Sequence, residues 1–288
     1  MVTIAYAHDG TSVYDSFFLK NLVKQNSVYF LTLNRDPEFV PSKAMIVTIP
    51  RPFYLSVTSS VEGILMYAFC LLRGFLLRLC LKRTKPDIVL GCLATKYGFY
   101  SALSGFKPFV LIPWATDILV APKRFFFFRF MTKFALKKAD AVIVDSDVVR
   151  EAAVRLGCSP SKILKFPRFD PESVYVEVSK EKVKEKLGWH DNPVVICNRR
   201  HHPICGVQYF IEAIPQVISV IPECRFLILG KGQLSERFKR RVKELRMGKY
   251  VKFMGQLPRG DMMPYLNAAD VYVSASLSDG TSASLLEA

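Results

Sequence analysis

Residues 269–288 read Ala-Asp-Val-Tyr-Val-Ser-Ala-Ser-Leu-Ser-Asp-Gly-Thr-Ser-Ala-Ser-Leu-Leu-Glu-Ala. A short β-branched and aromatic run is followed by small and polar residues, and then by an apolar run. This order predicts a strand, a loop and the beginning of a helix. Backbone N–H groups at the start of a helix can cradle an anion, so the stretch predicts both an α/β fold and an anion site.

The rest of the chain repeats this alternation of strands and helices. The predicted strands are 2–7, 28–33, 87–92, 109–113 and 141–145, and then 194–198, 225–229, 250–254 and 271–275. Helical patterns such as 207–220 and 235–246 lie between them. The prediction is therefore α/β, with two Rossmann-like, doubly wound domains at 1–171 and 172–288. Since open α/β sheets bind ligands at the carboxyl ends of their strands, we expect the site in a cleft between the domains.

The composition leaves a positive charge to be explained. Forty Lys and Arg residues oppose 25 Asp and Glu residues, a formal net charge of +15. Such a charge favours nucleic acid, anionic lipid or phosphorylated substrates. The apolar fraction of 50% excludes disordered classes. Seven cysteines without a CxxC spacing indicate neither a disulfide framework nor a zinc site, and a reducing cytoplasm is expected.

Glycines mark a second candidate phosphate loop. Gly230, Lys231 and a further glycine follow one predicted strand and precede a helix, so they can offer N–H groups and an ammonium to a phosphate. The alternative is that glycine only meets the requirement of the turn. The first turn of each domain lacks the GxGxxG dinucleotide fingerprint, and no Walker A pattern occurs.

Two carboxylates frame the opening stretch. Asp279 precedes the small-residue loop, and Glu287 follows after seven intervening residues. Carboxylates spaced in this way can grip separated hydroxyls of a ligand whose phosphates sit on the helix N-terminus. A nucleotide sugar has that arrangement of groups. The alternative is an N-cap acid and a solvated helix glutamate.

The sequence resembles the retaining GT-B glycosyltransferases of family 4, also called glycosyl transferases group 1. The pattern from Asp279 to Glu287 is similar to their acidic-x7-Glu signature. Other similar segments, in the order of the family, are 138–146, 156–163, 167–170, 206–213, 229–234 and 251–255. The resemblance covers about residues 85–288 well and 1–84 loosely. It implies a GT-B fold with an N-terminal acceptor-side domain and a C-terminal nucleotide-sugar-binding domain.

The resemblance also implies a role for each matching residue. Glu287 would hold the ribose hydroxyls, and Asp279 would contact the donor sugar as a catalytic residue. Arg200 would neutralise the diphosphate that departs as the glycosidic bond breaks. The donor diphosphate would be held by Gly280, Thr281, Ser282 and Ser284. With Arg200 in that role, no metal would be needed and no cofactor is expected. Consistently, no His/Asp cluster has ligand spacing.

Departures from the family pattern shift some of these roles. A lysine is common just before the glycine that opens the next helix, but this chain has Cys205 there, so Lys231 is expected to supply the missing charge. The chain ends inside the helix predicted after Ser282, without a C-cap signal. A fragment with an incomplete second domain is therefore expected.

The contacts of the first domain are assigned to two groups of residues. A histidine that many members carry after the strand 87–92 is absent. Trp114 and Asp117 are therefore the candidates, with Asp117 as a catalytic residue. His8, Gly10 and Thr11 are expected beside them on the acceptor side. For Trp114 the alternative is core packing at the end of a strand.

Two basic segments concentrate the positive charge in the first domain. Segment 63–81 approaches membrane-spanning length, but its two arginines argue against a span. Segment 123–138 interleaves aromatic with six basic residues, and such a helix can lie in the interface of an anionic membrane. The alternative is that its Phe stripe packs on the sheet. No RNP, KH or helix-turn-helix pattern supports nucleic-acid binding.

These observations predict a cytoplasmic glycosyltransferase, peripheral on the inner face of the cytoplasmic membrane. It would move a sugar from a nucleotide diphosphate sugar to a hydroxyl of a glycan or lipid-linked acceptor with retention, in cell-envelope glycan or glycolipid synthesis. One alternative is a non-catalytic sugar-nucleotide-binding homologue. The other is a basic membrane or nucleic-acid binding module.

Overall fold

A computed structural model describes residues 1–10, 13–50, 62–166 and 179–288, with backbone alone for 13–17 and 62–68. The chain divides into two compact units, Met1–Arg168 and Phe169–Ala288. The predicted domain boundary at residues 171 and 172 lies outside the described residues. Thr11 and the segment 167–170 lie outside them as well.

The first unit is built on a parallel seven-stranded sheet of order β3-β2-β1-β4-β5-β6-β7. Its strands are β1 Thr3–Ala7, β2 Ser27–Thr32, β3 Met45–Thr48, β4 Ile88–Cys92, β5 Phe109–Ile112, β6 Ala141–Val144 and β7 Ile163–Lys165. Its described helices are α1 Val13–Gln25, α2 Glu62–Thr84, α3 Tyr97–Ser104, α4 Thr116–Leu119, α5 Ala121–Arg124, α6 Phe126–Lys138 and α7 Asp147–Arg155. A 3-10 turn covers Pro160–Lys162.

The second unit has a parallel four-stranded sheet of order β10-β9-β8-β11 in its described part. The strands are β8 Val194–Cys197, β9 Arg225–Leu229, β10 Val251–Gly255 and β11 Val271–Tyr272. The helices are α8 Lys180–Leu187, α9 Val207–Val220, α10 Ser235–Glu244, α11 Arg259–Ala268 and α12 Ala283–Glu287. A 3-10 turn at Pro203–Cys205 precedes α9.

Alternation along the strands explains why helices cover both faces of each sheet. On β1, Ala5 and Ala7 belong to one buried apolar cluster, whereas Ile4 and Tyr6 belong to another. Successive side chains of a strand point to opposite faces, so a strand that is apolar at every position is buried on both sides. Strand β9 behaves in the same way, with its residues shared between two clusters.

Most predicted elements are present, and the differences have a physical cause. Helix α9 has the predicted bounds, while the strand predicted at 271–275 ends at Tyr272. Strands β3 and β7 were not predicted. Each lies at an edge of the first sheet, and Ile46 and Leu164 are exposed. An edge strand that is bare on one face lacks the continuous apolar run that marks a central strand.

Each sheet reverses its strand order once within the described residues. In the first sheet, β2 and β3 lie on one side of β1 and β4 on the other. In the second, β9 and β10 lie on one side of β8 and β11 on the other. Loops that leave such a switch point diverge and leave room for a ligand at the carboxyl ends of the strands. The two switch points are therefore the places to search for a site.

Helix α2 is long and its sequence is largely apolar. Among the described residues, no helix has both the length and the apolar character that crossing a bilayer requires.

Two glycines allow the close approach at the second switch point to be measured. Gly206 has φ +67, and a Cβ there would lie 1.7 Å from the carbonyl oxygen of Ala275. Gly188 has φ +73, with nothing within 4 Å of its Cβ position. We expect Gly188→Ala to cost about 1–2 kcal/mol of unfolding free energy, because of backbone strain alone. Gly206→Ala adds a steric clash and should cost about 3 kcal/mol or more.

Urea unfolding of the two variants and the parent chain measures this difference. Equal losses in the two variants would contradict the close approach of the Gly206 and Ala275 backbones.

Candidate functional site

The loops after β8 and β11 meet at the switch point of the second sheet. The backbone N–H of Leu277 donates to the carbonyl of Ile204 over 2.9 Å. The hydroxyl of Ser276 donates to the carbonyl of Cys205 over 3.4 Å. Together with the glycine contact described above, these bonds hold the loop 273–282 against the turn that precedes α9. The side chains that follow are therefore carried on backbone fixed from two sides.

A guanidinium, a carboxylate and a hydroxyl meet between these two loops. Nη2 of Arg199 donates to Oδ2 of Asp279 over 2.5 Å, and Nη1 donates to Oγ of Ser282 over 2.7 Å. The exposed fractions are 16% for the Arg199 side chain and 33% for that of Asp279. Burial acts to lower the pKa of Arg199, but the charge of Asp279 outweighs it and raises the pKa. Arg199 is therefore a fixed cation, and its Nε–H has no acceptor among the described residues.

The second carboxylate of the predicted pair is also bound to an arginine. Nη2 of Arg259, at the start of α11, lies 2.8 Å from Oε1 of Glu287, whose side chain is 7% exposed. Burial raises the pKa of Glu287, and Arg259 acts against that rise. A carboxylate held in this way at the end of α12 can accept hydrogen bonds from the hydroxyls of a ligand.

The glycine loop after β9 has a different role from the predicted one. The amide of Gly230 donates to the carbonyl of Gly255 over 2.7 Å, and that of Gly232 donates to the hydroxyl of Ser235 over 3.0 Å. These two amides are therefore not free for a phosphate. A Cβ on Gly230 would lie 2.4 Å from the carbonyl oxygen of Arg199. The glycines thus allow close packing on the loop after β8, and Lys231 is exposed above them.

Buried His201 connects the loops after β8 and β9. Its Nδ1 lies 2.8 Å from the hydroxyl of Ser235, and its backbone N–H donates to the carbonyl of Lys231. Burial lowers the pKa of the imidazole, so the ring is neutral at pH 7. The rings of Phe238 and Phe253 pack edge-on against it. His201 therefore fixes the loop that carries Arg199 on the second sheet.

The other predicted residues of the second unit lie around this cluster. Arg200 is exposed and has no ion pair among the described residues, whereas its neighbour Arg199 holds Asp279 and Ser282. The amide of Gly280 donates to the carboxylate of Asp279 over 2.9 Å and is thus already engaged. Thr281 and Ser284 are half-buried on either side of Ser282.

In the first unit, aromatic rings meet at the switch point between β1 and β4. The rings of His8 and Trp114 stack with centroids 4.8 Å apart and an interplanar angle of 11°. His8 is buried and Trp114 is half-buried. Gly10 follows β1 with φ +69. The structure therefore brings the predicted His8 and Trp114 together.

Asp117 has a structural role in the described residues. Its carboxylate accepts the backbone N–H of Ala94 over 2.5 Å and that of Trp114 over 2.7 Å. The side chain is 3% exposed. A buried carboxylate engaged by two backbone amides connects the ends of β4 and β5, which favours positioning over the catalytic role predicted from the sequence.

Three charged residues near the switch points were missed by sequence reasoning. Arg199 stands beside the predicted arginine, and no pattern shows which of two adjacent arginines faces the loop. Arg259 and Lys96 bind carboxylates far away in sequence, Glu287 and Asp9. The sequence signal for such partners is indirect: a carboxylate that is partly buried is costly unless a cation pairs with it.

The described residues contain no group of three or more His, Cys, Asp or Glu side chains arranged to hold a metal ion. Asp145 and Asp147 are separated only by Ser146, and both carboxylates have partners close by. Ser146 donates to Asp145 and caps α7, and Asp147 pairs with Lys165. The expectation that no metal is needed stays a prediction.

Comparison with known proteins finds two families. The model of the Glycosyl transferases group 1 matches residues 192–288. The model of the Glycosyl transferase 4-like family matches residues 60–146. Each of the two units therefore contains a segment typical of glycosyl transferases.

Individual relatives match shorter parts. A GDP-mannose-dependent monoacylated alpha-(1-6)-phosphatidylinositol monomannoside mannosyltransferase of Corynebacterium glutamicum is 35% identical over 102 residues, 35% of this chain and 26% of that protein. The phosphatidylinositol N-acetylglucosaminyltransferase GPI3 subunit of Saccharomyces cerevisiae is 26% identical over 162 residues, 54% of this chain and 34% of that protein. The matches thus span about a quarter to a third of these curated relatives.

A solved structure matches nearly the whole chain. The crystal structure of Anabaena HepE in complex with UDP and glucose has a TM-score of 0.70 and 17% identity, covering 96% of this chain and 74% of that chain. This likeness confirms the predicted α/β fold class with two Rossmann-like units. The predicted cleft between the two units stays a prediction.

The two adjacent arginines allow a matched test of the ion pair. Arg199→Met removes the only donors that the described residues offer to the Oδ2 atom of Asp279 and the hydroxyl of Ser282. We expect it to lower the free energy of unfolding by about 1–3 kcal/mol, because a charged hydrogen-bonding group loses its partner. Arg200→Met changes an exposed residue and should stay within about 0.5 kcal/mol of the parent. Urea unfolding checks both values, and equal losses would contradict the role given to Arg199.

Proposed function

We propose that this chain, which belongs to the group 1 glycosyl transferases of family 4 and has their GT-B fold, transfers a sugar from a nucleotide diphosphate sugar to an acceptor hydroxyl. The observation that carries the proposal is the cluster of Arg199, Asp279 and Ser282 at the second switch point. A sugar attached to a diphosphate has an anionic part and a part with hydroxyls. A fixed guanidinium can bind the first, and a carboxylate beside it can bind the second.

Each group of the cluster has a task in the transfer. The diphosphate gains negative charge as the glycosidic bond breaks, and a preorganised guanidinium stabilises that charge. The buried Nε–H of Arg199 has no acceptor among the described residues, so a phosphate oxygen that enters beside it would meet an unused donor. Asp279 accepts hydrogen bonds from hydroxyls of the donor sugar, and Glu287 accepts them from the ribose. Lys231 and Arg200 are exposed and add positive charge at the rim.

The names of the relatives support the choice of substrates. The Corynebacterium enzyme is named for GDP-mannose and a phosphatidylinositol monomannoside, and the yeast subunit for phosphatidylinositol. We therefore propose a lipid-linked or cell-envelope glycan as acceptor. We further propose transfer with retention of anomeric configuration and without a metal ion, because the cluster already supplies a cation for the leaving group.

The rival proposal is a sugar-nucleotide-binding protein without turnover. Cys205 stands where many members of the family have a lysine, and the absence of that lysine motivates the rival proposal. The rival proposal requires nucleotide binding but no release or transfer of sugar. The same protein sample distinguishes the two, since binding and turnover are measured separately.

The donor site is tested with the adjacent arginines. We expect UDP or GDP to bind the 288-residue chain, and Arg199→Met to weaken that binding about tenfold or more, since a charged hydrogen bond is lost. Arg200→Met is the matched control and should weaken it far less. Isothermal calorimetry measures binding, and release or transfer of labelled sugar from a donor panel measures turnover.

Binding without turnover for every donor would support the rival. No binding of any nucleoside diphosphate would reject both. NMR of the product anomer tests retention, and activity in excess EDTA tests metal independence.

A basic and aromatic surface on α6 supports a second proposal, binding to the cytoplasmic face of an anionic membrane. Phe127 and Met131 pack into the core, as the alternative from the sequence required, but Phe126 and Phe130 remain 89% and 45% exposed. The exposed basic residues beside them are Lys123 and Arg124 in α5, and Arg129, Lys133, Lys137 and Lys138 in α6. No acidic residue occurs between Asp117 and Asp140. Exposed rings on α6, together with cations on α5 and α6 that have no ion pair among the described residues, suit an interface of anionic lipid.

Neutralising Arg124, Arg129, Lys133 and Lys137 should weaken binding to vesicles by about 1 kcal/mol per residue. The matched control neutralises four exposed basic residues of the second unit, Lys182, Lys186, Arg237 and Arg240. Co-sedimentation with phosphatidylcholine vesicles of increasing phosphatidylglycerol content measures both. A similar loss in the two variants would show that total charge, rather than α6, binds the membrane.

A further inference from the structure

A charged pair stands at the switch point of the first sheet, outside the residues assigned so far. Asp9 lies in the loop after β1, and Lys96 lies in the loop after β4. Nζ of Lys96 is 2.5 Å from Oδ2 of Asp9, and the exposed fractions are 39% and 23%. The pair is thus reachable from solvent at the carboxyl ends of the strands, where open sheets bind ligands.

The carboxylate of Asp9 is held in one orientation by buried groups. The hydroxyl of Tyr97 donates to Oδ1 of Asp9 over 2.6 Å. The backbone N–H of Leu33 donates to the same hydroxyl oxygen over 2.9 Å, so the proton of Tyr97 is directed to Asp9. Tyr97 is fully buried. A carboxylate fixed by a buried phenol is preorganised, because it loses little freedom when a ligand binds.

The charge state of Asp9 agrees with this arrangement. Burial acts to raise its pKa, but the bonds from Lys96 and Tyr97 outweigh burial and lower the pKa. Asp9 is therefore ionised at neutral pH. Burial and the negative charge of Asp9 raise the pKa of Tyr97, which stays protonated and remains a donor.

Both members of the pair keep unused hydrogen-bonding capacity. A carboxylate has about four acceptor positions, and the described side chains use one on each oxygen of Asp9. An ammonium has three donors, and one of them binds Asp9. The carboxylate can thus accept hydrogen bonds from hydroxyls, while the ammonium donates hydrogen bonds to an anionic group of the same ligand.

Aromatic rings lie next to the pair. The ring of His8 lies between Trp114, at 4.8 Å, and Tyr97, at 6.2 Å. Trp114 is half-buried. Few polar groups beside an aromatic surface are typical of sites for small molecules that have both polar and apolar faces. A polyol ring has hydroxyls at its rim and C–H groups on its faces.

We propose that Asp9 and Lys96 bind the acceptor of the transfer, and that this acceptor is a polyol that carries a phosphate. Asp9 accepts hydrogen bonds from its hydroxyls, and the ammonium of Lys96 donates hydrogen bonds to its phosphate. This inference rests on the proposed function, because it assigns the acceptor side of the same reaction. Tyr97 is a positioning residue, which acts through Asp9.

The test uses myo-inositol 1-phosphate and glucose 1-phosphate as probes, with myo-inositol and glucose as their uncharged counterparts. We expect saturation-transfer NMR to show binding of the phosphorylated probes to the 288-residue chain. Asp9→Asn should weaken binding of both kinds of probe about tenfold or more. Lys96→Met should abolish the preference for the phosphorylated probe over its counterpart.

Matched controls are Asp36→Asn and Lys43→Met, which change exposed residues of the same unit by the same charge. The double variant Asp9→Asn with Lys96→Met leaves no charge unpaired, and it should fold, as near-UV circular dichroism reports, without binding the probes. Binding of UDP or GDP should be unchanged in every variant, so failure of the donor proposal is seen separately. Absence of probe binding by the parent chain, or equal binding by the variants and their controls, would overturn the proposal.

Discussion

The ion pair between Arg199 and Asp279 joins the two loops that diverge from the second switch point. A half-buried guanidinium loses much of its hydration, and this loss is repaid only while an anion and an acceptor remain beside it. The resting protein meets that need with Asp279 and Ser282. Under the proposed function, a diphosphate that binds here must offer Arg199 at least the same charge, and Asp279 would then be released towards the hydroxyls of the sugar. The same contact thus serves stability and selectivity for an anion.

The backbone under this ion pair allows the loops that carry it to approach each other closely. Gly206 lets the turn before α9 touch the carbonyl of Ala275, and Gly230 lets the loop after β9 touch the carbonyl of Arg199. His201 connects the loop after β8 with the loop after β9 through Ser235 and Lys231. Glycine next to a phosphate site is often attributed to direct contact with the phosphate. Here the two glycines act indirectly. They allow close packing of the chain segments that carry Arg199 and Asp279.

The fold was largely predictable from the sequence, since it follows from patterns that are local. Apolar runs at every position marked the central strands, and the helix Val207–Val220 followed from its buried face. The edge strands β3 and β7 were missed, because an exposed face removes the pattern. In the candidate site, spacing pointed to the carboxylates Asp279 and Glu287, but it did not identify the arginines that pair with them. Whether Arg199 or Arg200 turns inward, and which residue reaches Glu287, depends on packing between segments that are distant in sequence.

The two switch points use cations of different geometry, and this difference has a chemical consequence. Arg199 has a planar fork that binds a carboxylate and a hydroxyl at once, whereas Lys96 is a point charge on a flexible chain. A fork fits an anion with several oxygens in fixed positions, such as a diphosphate. A point charge tolerates a phosphate in several orientations, while Tyr97 holds the carboxylate of Asp9 still. Under the proposed function, the second switch point would orient the charged leaving group. At the proposed acceptor site, the hydroxyls at Asp9 would be oriented more strictly than the phosphate at Lys96.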